Sequence, residues 1–196
     1  MKYRALKVLA AIAAFQISIL GALDAVAASV IPMDLDQIVA GAQHIVHVRC
    51  TGNVVQADPD VGIVTMTSFV VLDRAKGGAG ATFTVRQAGG ELLGLAVDYH
   101  VPKFRDGEEY VLFMPAASRL GLASPVGLSQ GAFSVMPGAT GKEVGNGRDF
   151  AELLAGVDPA NVPPGMAARL KQEPHARLRM ELGEFMSVTR AKAVAR

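Results

Sequence analysis

The chain has 196 residues, 51% of them apolar, and a formal net charge of +1, which is about one domain's worth of polypeptide. Residues 1–27 hold 20 of the apolar residues, three cations (Lys2, Arg4, Lys7) and one anion (Asp24), so the 169 residues after them carry a net charge of −1. A near-neutral chain of ordinary apolar content excludes a disordered protein, a polytopic membrane protein, a disulfide-stapled miniprotein and a basic nucleic-acid-binding domain.

The N-terminus has the three parts of an export signal. Lys2, Arg4 and Lys7 form a positive start, residues 8–23 form an apolar stretch softened by Gln16 and Ser18, and Ala25-Val26-Ala27 places small residues at −3 and −1. The pattern predicts a signal peptide over 1–27 with cleavage before Ala28. Its apolar stretch is shorter than the roughly 20 residues a membrane span needs, which favours a cleaved leader over a retained anchor. Cys50 is the only cysteine and lies far beyond the cleavage site, so neither lipid attachment at the processed end nor an intramolecular disulfide is available. The processed chain is expected in the periplasm or outside the cell, and not as an integral membrane protein.

Residues 34–42 (DLDQIVAGA) read as a short helix, with acidic residues in the first turn and Leu35, Ile38, Val39 and Ala42 at helical spacing. From residue 45 to 55 the period changes to two, with Val46, Val48, Cys50 and Val54 inward and His47, Arg49 and Thr51 outward. A turn cluster at 58–62 (DPDVG) leads to residues 63–72 (IVTMTSFVVL), apolar on both faces and therefore read as a central strand. A glycine-rich loop at 76–80 precedes a strand over 82–87, with Phe83 and Val85 inward and Thr84 and Arg86 outward. The Asp106-Gly107 turn introduces a strand over 110–114, and short runs at 122–128 and 132–136 flank a bend at Ser129-Gln130-Gly131.

At least five short strands thus follow one another with no helix of crossover length between them, so the sheet is predicted to be mainly antiparallel. Closure into a small five- to six-stranded barrel, OB-like, is the economical way to remove its open edges. The predicted organisation is a β-barrel over 28–140, carrying the short N-terminal helix, then a linker and basic helical tail over 141–196. Between Arg169 and Arg196 the tail has seven cations and three anions, a break near Pro174, and a Leu178, Leu182, Phe185 stripe. A solvated helix packed on the domain explains it more simply than a membrane-binding face.

Residues 38–42 (IVAGA) before the 44–49 strand, 67–72 (TSFVVL) with Lys76-Gly77, 85–90 (VRQAGG), 104–113 (FRDGEEYVLF) and 126–133 (VGLSQGAF) carry a resemblance. Over about residues 34–136 the chain resembles a loose group of exported, mostly uncharacterised bacterial proteins. That group is similar in fold to small oligosaccharide/oligonucleotide-binding barrels and to the netrin-like module of tissue metalloproteinase inhibitors. The resemblance implies a barrel and no activity. Those inhibitors chelate a protease zinc with a disulfide-tied N-terminal cysteine. Here the processed end is Ala28-Ser29 and Cys50 lies within a strand, so that mechanism does not carry over.

Several patterns bear on chemistry. Residues 127–131 (GLSQG) match the G-x-S-x-G nucleophile elbow, and Asp149 or Asp158 followed by His175 gives the Ser–Asp–His chain order. The residues that follow read as a strand, whereas the elbow needs a helix, so a hydrolase using Ser129 and His175 is the alternative and not the first reading. His44 and His47 are three apart, which on a strand sends them to opposite faces, and no metal or other cofactor is implied. Lys76 to Thr82 lacks a G-K-[ST] ending, so phosphate cradling is not implied either. The processed chain has no Trp, and Phe69, Phe83, Phe113 and Phe133 suit core positions, which speaks against nucleic acid.

The most suggestive stretch is the long connection 88–108. It sets Leu92, Leu93, Leu95, Val97 and Val101 beside Glu91, Asp98, Tyr99, His100, Lys103 and Arg105. Connections of this length are functional or contain a further element. An extra strand or hairpin covering the barrel and a binding lip with Glu91, Asp98, Tyr99, His100, Lys103 and Arg105 as contacts are the two readings. The function expected from the sequence is a non-enzymatic exported module that binds an extracytoplasmic macromolecule, such as a protease or envelope component. An enzyme using Ser129/His175 or the histidines, and a purely structural accessory protein, are its rivals.

N-terminal sequencing of the exported protein is expected to begin at Ala28. A start at Met1, or retention in the membrane, would contradict the leader assignment.

Overall fold

Asp34 opens the first helix. Its carboxylate accepts a hydrogen bond from the Gln37 amide at 2.8 Å, and Gln37 Oε1 accepts one from the Asp34 amide at 2.9 Å, a reciprocal cap on donors the helix cannot satisfy itself. Helix α1 (Leu35–Gly41) buries Leu35, Ile38 and Val39, and Ala42 joins them, as the spacing predicts. The computed structural model describes residues 31–78, 80–154, 157, 162, 167–168, 171–172 and 179–195.

Nine strands follow among the described residues: β1 (His44–Asp58), β2 (Gly62–Lys76), β3 (Thr82–Ala88), β4 (Gly90–Leu92), β5 (Leu95–Val97), β6 (Glu109–Met114), β7 (Ala132–Pro137), β8 (Lys142–Gly145) and β9 (Met180–Glu181). Helix α2 (Phe150–Leu153) lies between β8 and β9, and α3 (Leu182–Val194) follows β9. Seven strands form one sheet in the order β3-β2-β1-β6-β7-β8-β9, with β4-β5 a separate hairpin, and every pair is antiparallel. The mainly β, antiparallel expectation therefore holds. The sheet is not closed: β3 and β9 end the ladder. Its β3 edge is shielded instead, by an Ala123 amide that donates to the Arg86 carbonyl at 2.9 Å and by the Arg86 guanidinium, which bonds the Leu120 carbonyl and Asp58. Covering an edge removes the exposed row of backbone groups as closure would.

β1 and β2 are each fifteen residues long and pair along their whole length, but β1 meets β6 only over residues 44–49. The sheet is consequently wide at one end and three strands wide at the other. At the wide end both faces are packed. One face carries Ile45, Val111, Phe113, Phe133 and Val144 against α1 and α3. Phe185 of α3 sits between the rings of Phe133 and Phe113, at 4.8 and 6.1 Å. The other face carries Val46, Val48, Cys50, Phe69, Val85, Leu112 and Met114, closed by Phe104 and Tyr110.

Several expectations are corrected. Val54 does not point inward: it is 60% exposed, because the irregularity between Cys50 and Gly52 shifts the alternation along β1. Residues 63–72 are central in the sheet, between β1 and β3, but not buried on both faces: Val70 and Leu72 are about 40% exposed, because the helices reach β2 only near its end, where Lys76 bonds the Val39 carbonyl and Arg190 pairs with Asp73. The doubly buried strand is β6, with residues 110–114 all buried. His47 does not point to solvent but is buried. The run 122–128 is not a strand; Pro125 has no amide to donate and Gly127 takes φ +61°, so single bonds at Ala123 and Val126 replace a ladder.

The sheet continues past residue 140, since β8 pairs with β7 and β9 with β8. In the tail, Phe185, Met186, Val188 and Thr189 are buried, and Lys192 pairs with Asp36, so α3 packs on the domain. Leu178 and Pro174 lie outside the described residues.

His47 is buried because it is bonded. Glu109, only 11% exposed at its side chain, accepts from His47 Nε2 at 2.9 Å, Arg49 Nη2 at 2.8 Å and Lys142 Nζ at 2.7 Å. Burial pushes the Glu109 carboxyl up, yet the bonds from Lys142, Arg49 and His47 outweigh it and hold the group down to about 2, against an ordinary 4.5. A carboxylate depressed in the fold stabilises it fully above the unfolded value and loses that contribution as pH falls from about 4.5 toward 2. Glu109→Gln is expected to lower stability at pH 7 by about 2–3 kcal/mol and to flatten the acid limb, as read by urea unfolding at pH 7 and pH 3. An unchanged acid limb would contradict the network.

Candidate functional site

The three-stranded end of the sheet has no β6 beside it, and there its inner face turns polar. Past the irregularity between Cys50 and Gly52, β1 sets Asn53 opposite Thr67 and Val55 opposite Thr65. β3 then places Val85 beside Thr67 and Gln87 beside Thr65. The inward row thus runs from Phe69 through Thr67 to Thr65 on β2, and from Val85 to Gln87 on β3. Thr67 and Gln87 are 1% and 3% exposed.

Thr65 is half-buried and Asn53 exposed; the buried pair needs hydrogen-bond partners, and these two neighbours help to supply them. The Thr67 hydroxyl donates to Asn53 Oδ1 at 2.7 Å, and Asn53 Nδ2 donates to the Phe104 carbonyl at 3.0 Å. The Thr65 hydroxyl donates to the Gly89 carbonyl at 2.7 Å, and Gln87 Nε2 lies 3.5 Å from Ser124 Oγ. Gln87 Oε1 accepts no bond from any described residue.

The connection 88–108 covers this floor. It contains the β4–β5 hairpin, so the plainer of its two readings is correct as to structure. Gly89 and Gly90 let it come close: a Cβ on Gly89 would lie 2.6 Å from the Val97 carbonyl oxygen, and one on Gly90 would lie 2.7 Å from Thr65 Oγ1. Residues 98–104 form the opposite wall and are anchored by edge-to-face contacts of Phe104 with Phe69 and Tyr110, at 5.2 and 5.1 Å. Tyr110 donates its hydroxyl hydrogen to Glu108 at 2.7 Å and accepts from the Arg105 amide at 3.0 Å; burial pushes its phenol up to about 12. Hairpin, wall and floor enclose a cavity of about 330 Å³, at the lower end of the range for small-ligand sites.

Of the six predicted binding residues, Glu91, Asp98, Tyr99 and Lys103 line the cavity. Tyr99 is 56% exposed at its mouth. Asp98 is held below the usual carboxylate range by the hydrogen bond from Lys103 at 2.9 Å and by the His100 amide at 2.7 Å. His100 and Arg105 do not line it; His100 is in the left-handed region at φ +57°, and exposed Arg105 lies 3.6 Å from Glu108. The polar floor, Asn53, Thr65, Thr67 and Gln87, was missed. The signal was present in part: if Phe83 and Val85 point inward, period two carries Gln87 inward as well.

A second groove, of about 460 Å³, is lined by Lys103, Ser129, Ser134, Asn146, Arg148 and Arg179 among others. Ser129 is exposed on a 3-10 turn (Leu128–Gly131) that runs directly into β7, not into a helix. Asp149 accepts from the Ala151 amide at 2.8 Å; Asp158 and His175 lie outside the described residues. The neighbouring Gln130 is what the GLSQG segment buries: its Oε1 accepts from the Met33 amide at 2.8 Å and its Nε2 donates to the Ile31 carbonyl at 3.0 Å. His44 packs edge-on against Phe83 while His47 bonds Glu109, and among the described residues no group of three His, Cys, Asp or Glu converges on a metal position. No described helix is long and apolar enough to cross a membrane.

Thr67→Val keeps the side-chain shape and leaves the Asn53 oxygen without its donor. It is expected to cost about 1–2 kcal/mol in urea unfolding, whereas Thr84→Val, on the exposed side of β3, changes stability by less than about 0.5 kcal/mol. Equal effects would mean that the floor network contributes nothing.

No protein-family model matches the chain, and no curated protein matches it.

Proposed function

We propose that the chain is an exported, non-enzymatic binding module, OB-like or netrin-like in build, that engages an extracytoplasmic envelope protein, such as a protease, through the lipped cavity. The observation that carries this reading is Gln87. Its side chain is 3% exposed, and its oxygen meets no donor among the described residues yet is not sealed from solvent, so it opens onto the cavity that Gln87 lines, in keeping with a surface that a ligand completes. The exposed Tyr99 at the mouth supports the same reading, because an aromatic ring with a polar tip beside a pocket is a typical anchor for a protein partner. The leader over 1–27 gives the compartment.

The test is site-specific photo-crosslinking in the exporting cell. With a photoreactive residue at Tyr99, a reproducible protein adduct is expected that is absent when the same group stands at Val70, on the exposed side of β2. No adduct at either position, or the same adducts at both, would overturn the reading. Covalent labelling of Ser129 by a serine-reactive probe would favour the hydrolase instead.

A further inference from the structure

We propose that the cavity beneath the β4–β5 hairpin receives an arginine side chain presented by the partner protein. This rests on the binding reading above and names the chemistry the site takes. The floor offers more acceptors than donors, its one free donor among the described residues being the second hydrogen of the Gln87 amide, whose nitrogen lies 3.5 Å from Ser124 Oγ. The donor hydrogens of Thr65, Thr67 and one amide hydrogen of Asn53 are engaged by Gly89, Asn53 and Phe104. Both threonine oxygens keep acceptor capacity, and Gln87 Oε1 is unmatched. A group that fits such a floor brings several donors and asks for few in return.

Candidate ligand classes separate on that ground. A sugar hydroxyl needs donors as well as acceptors, and the floor has few to offer. A carboxylate or phosphate meets two carboxylates at the rim, Glu91 and Asp98, while the cation Lys103 is already paired to Asp98 at 2.9 Å. An ammonium is compact and strongly hydrated, and burying it against neutral acceptors is expensive. A guanidinium has five donors in a plane, is weakly hydrated and stacks on aromatic rings. Val55, Val97, Val101 and Pro102 provide an apolar wall for its methylene stem. Tyr99 at the mouth offers a ring face, and Glu91, which pairs with no described cation, offers the countercharge.

The experiment titrates the processed full-length protein into a fluorescein-labelled Gly-Gly-Arg-Gly-Gly peptide and follows anisotropy, with lysine and citrulline versions alongside. The arginine peptide is expected to bind about tenfold more tightly than either. Glu91→Gln and Tyr99→Ala, both on the exposed lip, are each expected to weaken it about three- to tenfold, with urea unfolding confirming an intact fold. Glu184→Gln, on α3, is expected to leave it unchanged. No binding of the arginine peptide, equal binding of all three peptides, or indifference to both lip variants overturns the assignment. If the peptide fails while the Tyr99 crosslink persists, the arginine assignment alone falls; if both fail, the binding reading falls with it.

Discussion

The hydrogen bond from the Thr67 hydroxyl to the Asn53 oxygen, 2.7 Å long, marks where the packed face of the sheet stops being apolar. On one side of it Phe69, Cys50 and Val85 pack with Phe104 and Tyr110 as an ordinary core. On the other, two fifteen-residue strands run on beyond β6 and have only β3 beside them. A sheet of that width cannot bury a second apolar face against helices that do not reach it. Polar residues suit such a face, and the two that are buried, Thr67 and Gln87, need hydrogen-bond partners there. The β4–β5 hairpin and residues 98–104 supply the cover, and because they are too short to fill the volume beneath them, a cavity remains.

The two ends of the sheet therefore have different physical characters. At the wide end Glu109 bonds three partners at once, His47, Arg49 and Lys142, and aromatic rings from β6, β7 and α3 interlock. That end can serve as a stiff frame. At the narrow end the cover is a hairpin of two three-residue strands and an extended segment anchored by Phe104. Rigid frame below and short lip above is a common way to place recognition on loops without softening the core. The GLSQG segment belongs to the frame: Gln130 holds the backbone at Ile31 and Met33, which accounts for its burial without a catalytic role.

The sequence revealed most where one periodicity ran uninterrupted. Leu35, Ile38, Val39 and Ala42 gave α1, and the alternation in β1 and β3 gave both strands and the inward side of most positions. It failed where tertiary partners override local pattern. His47 reads as outward because a histidine among valines is polar, and only Glu109, 62 residues away, makes its burial favourable. Residues 63–72 read as central, which the sheet order bears out, but their apolar outer side does not mean full burial, since Val70 and Leu72 stay about 40% exposed. The two-residue β9 is too short to leave any period. For the site, the lip residues Glu91, Asp98, Tyr99 and Lys103 were legible because charged and aromatic side chains cluster in a long connection. The floor was not, since Asn53, Thr65, Thr67 and Gln87 look individually like strand residues and become a site only when the register stacks them.

The most direct measurement of that floor is the side-chain amide resonance of Gln87 in the isotopically labelled, processed protein, assigned by its disappearance in Gln87→Met. If the amide addresses the contents of the cavity, that resonance shifts when the arginine peptide is added while the Asn146 amide, bonded to the Gln130 carbonyl at 2.9 Å, stays in place. A Gln87 resonance that does not move at peptide concentrations that saturate binding would contradict the account.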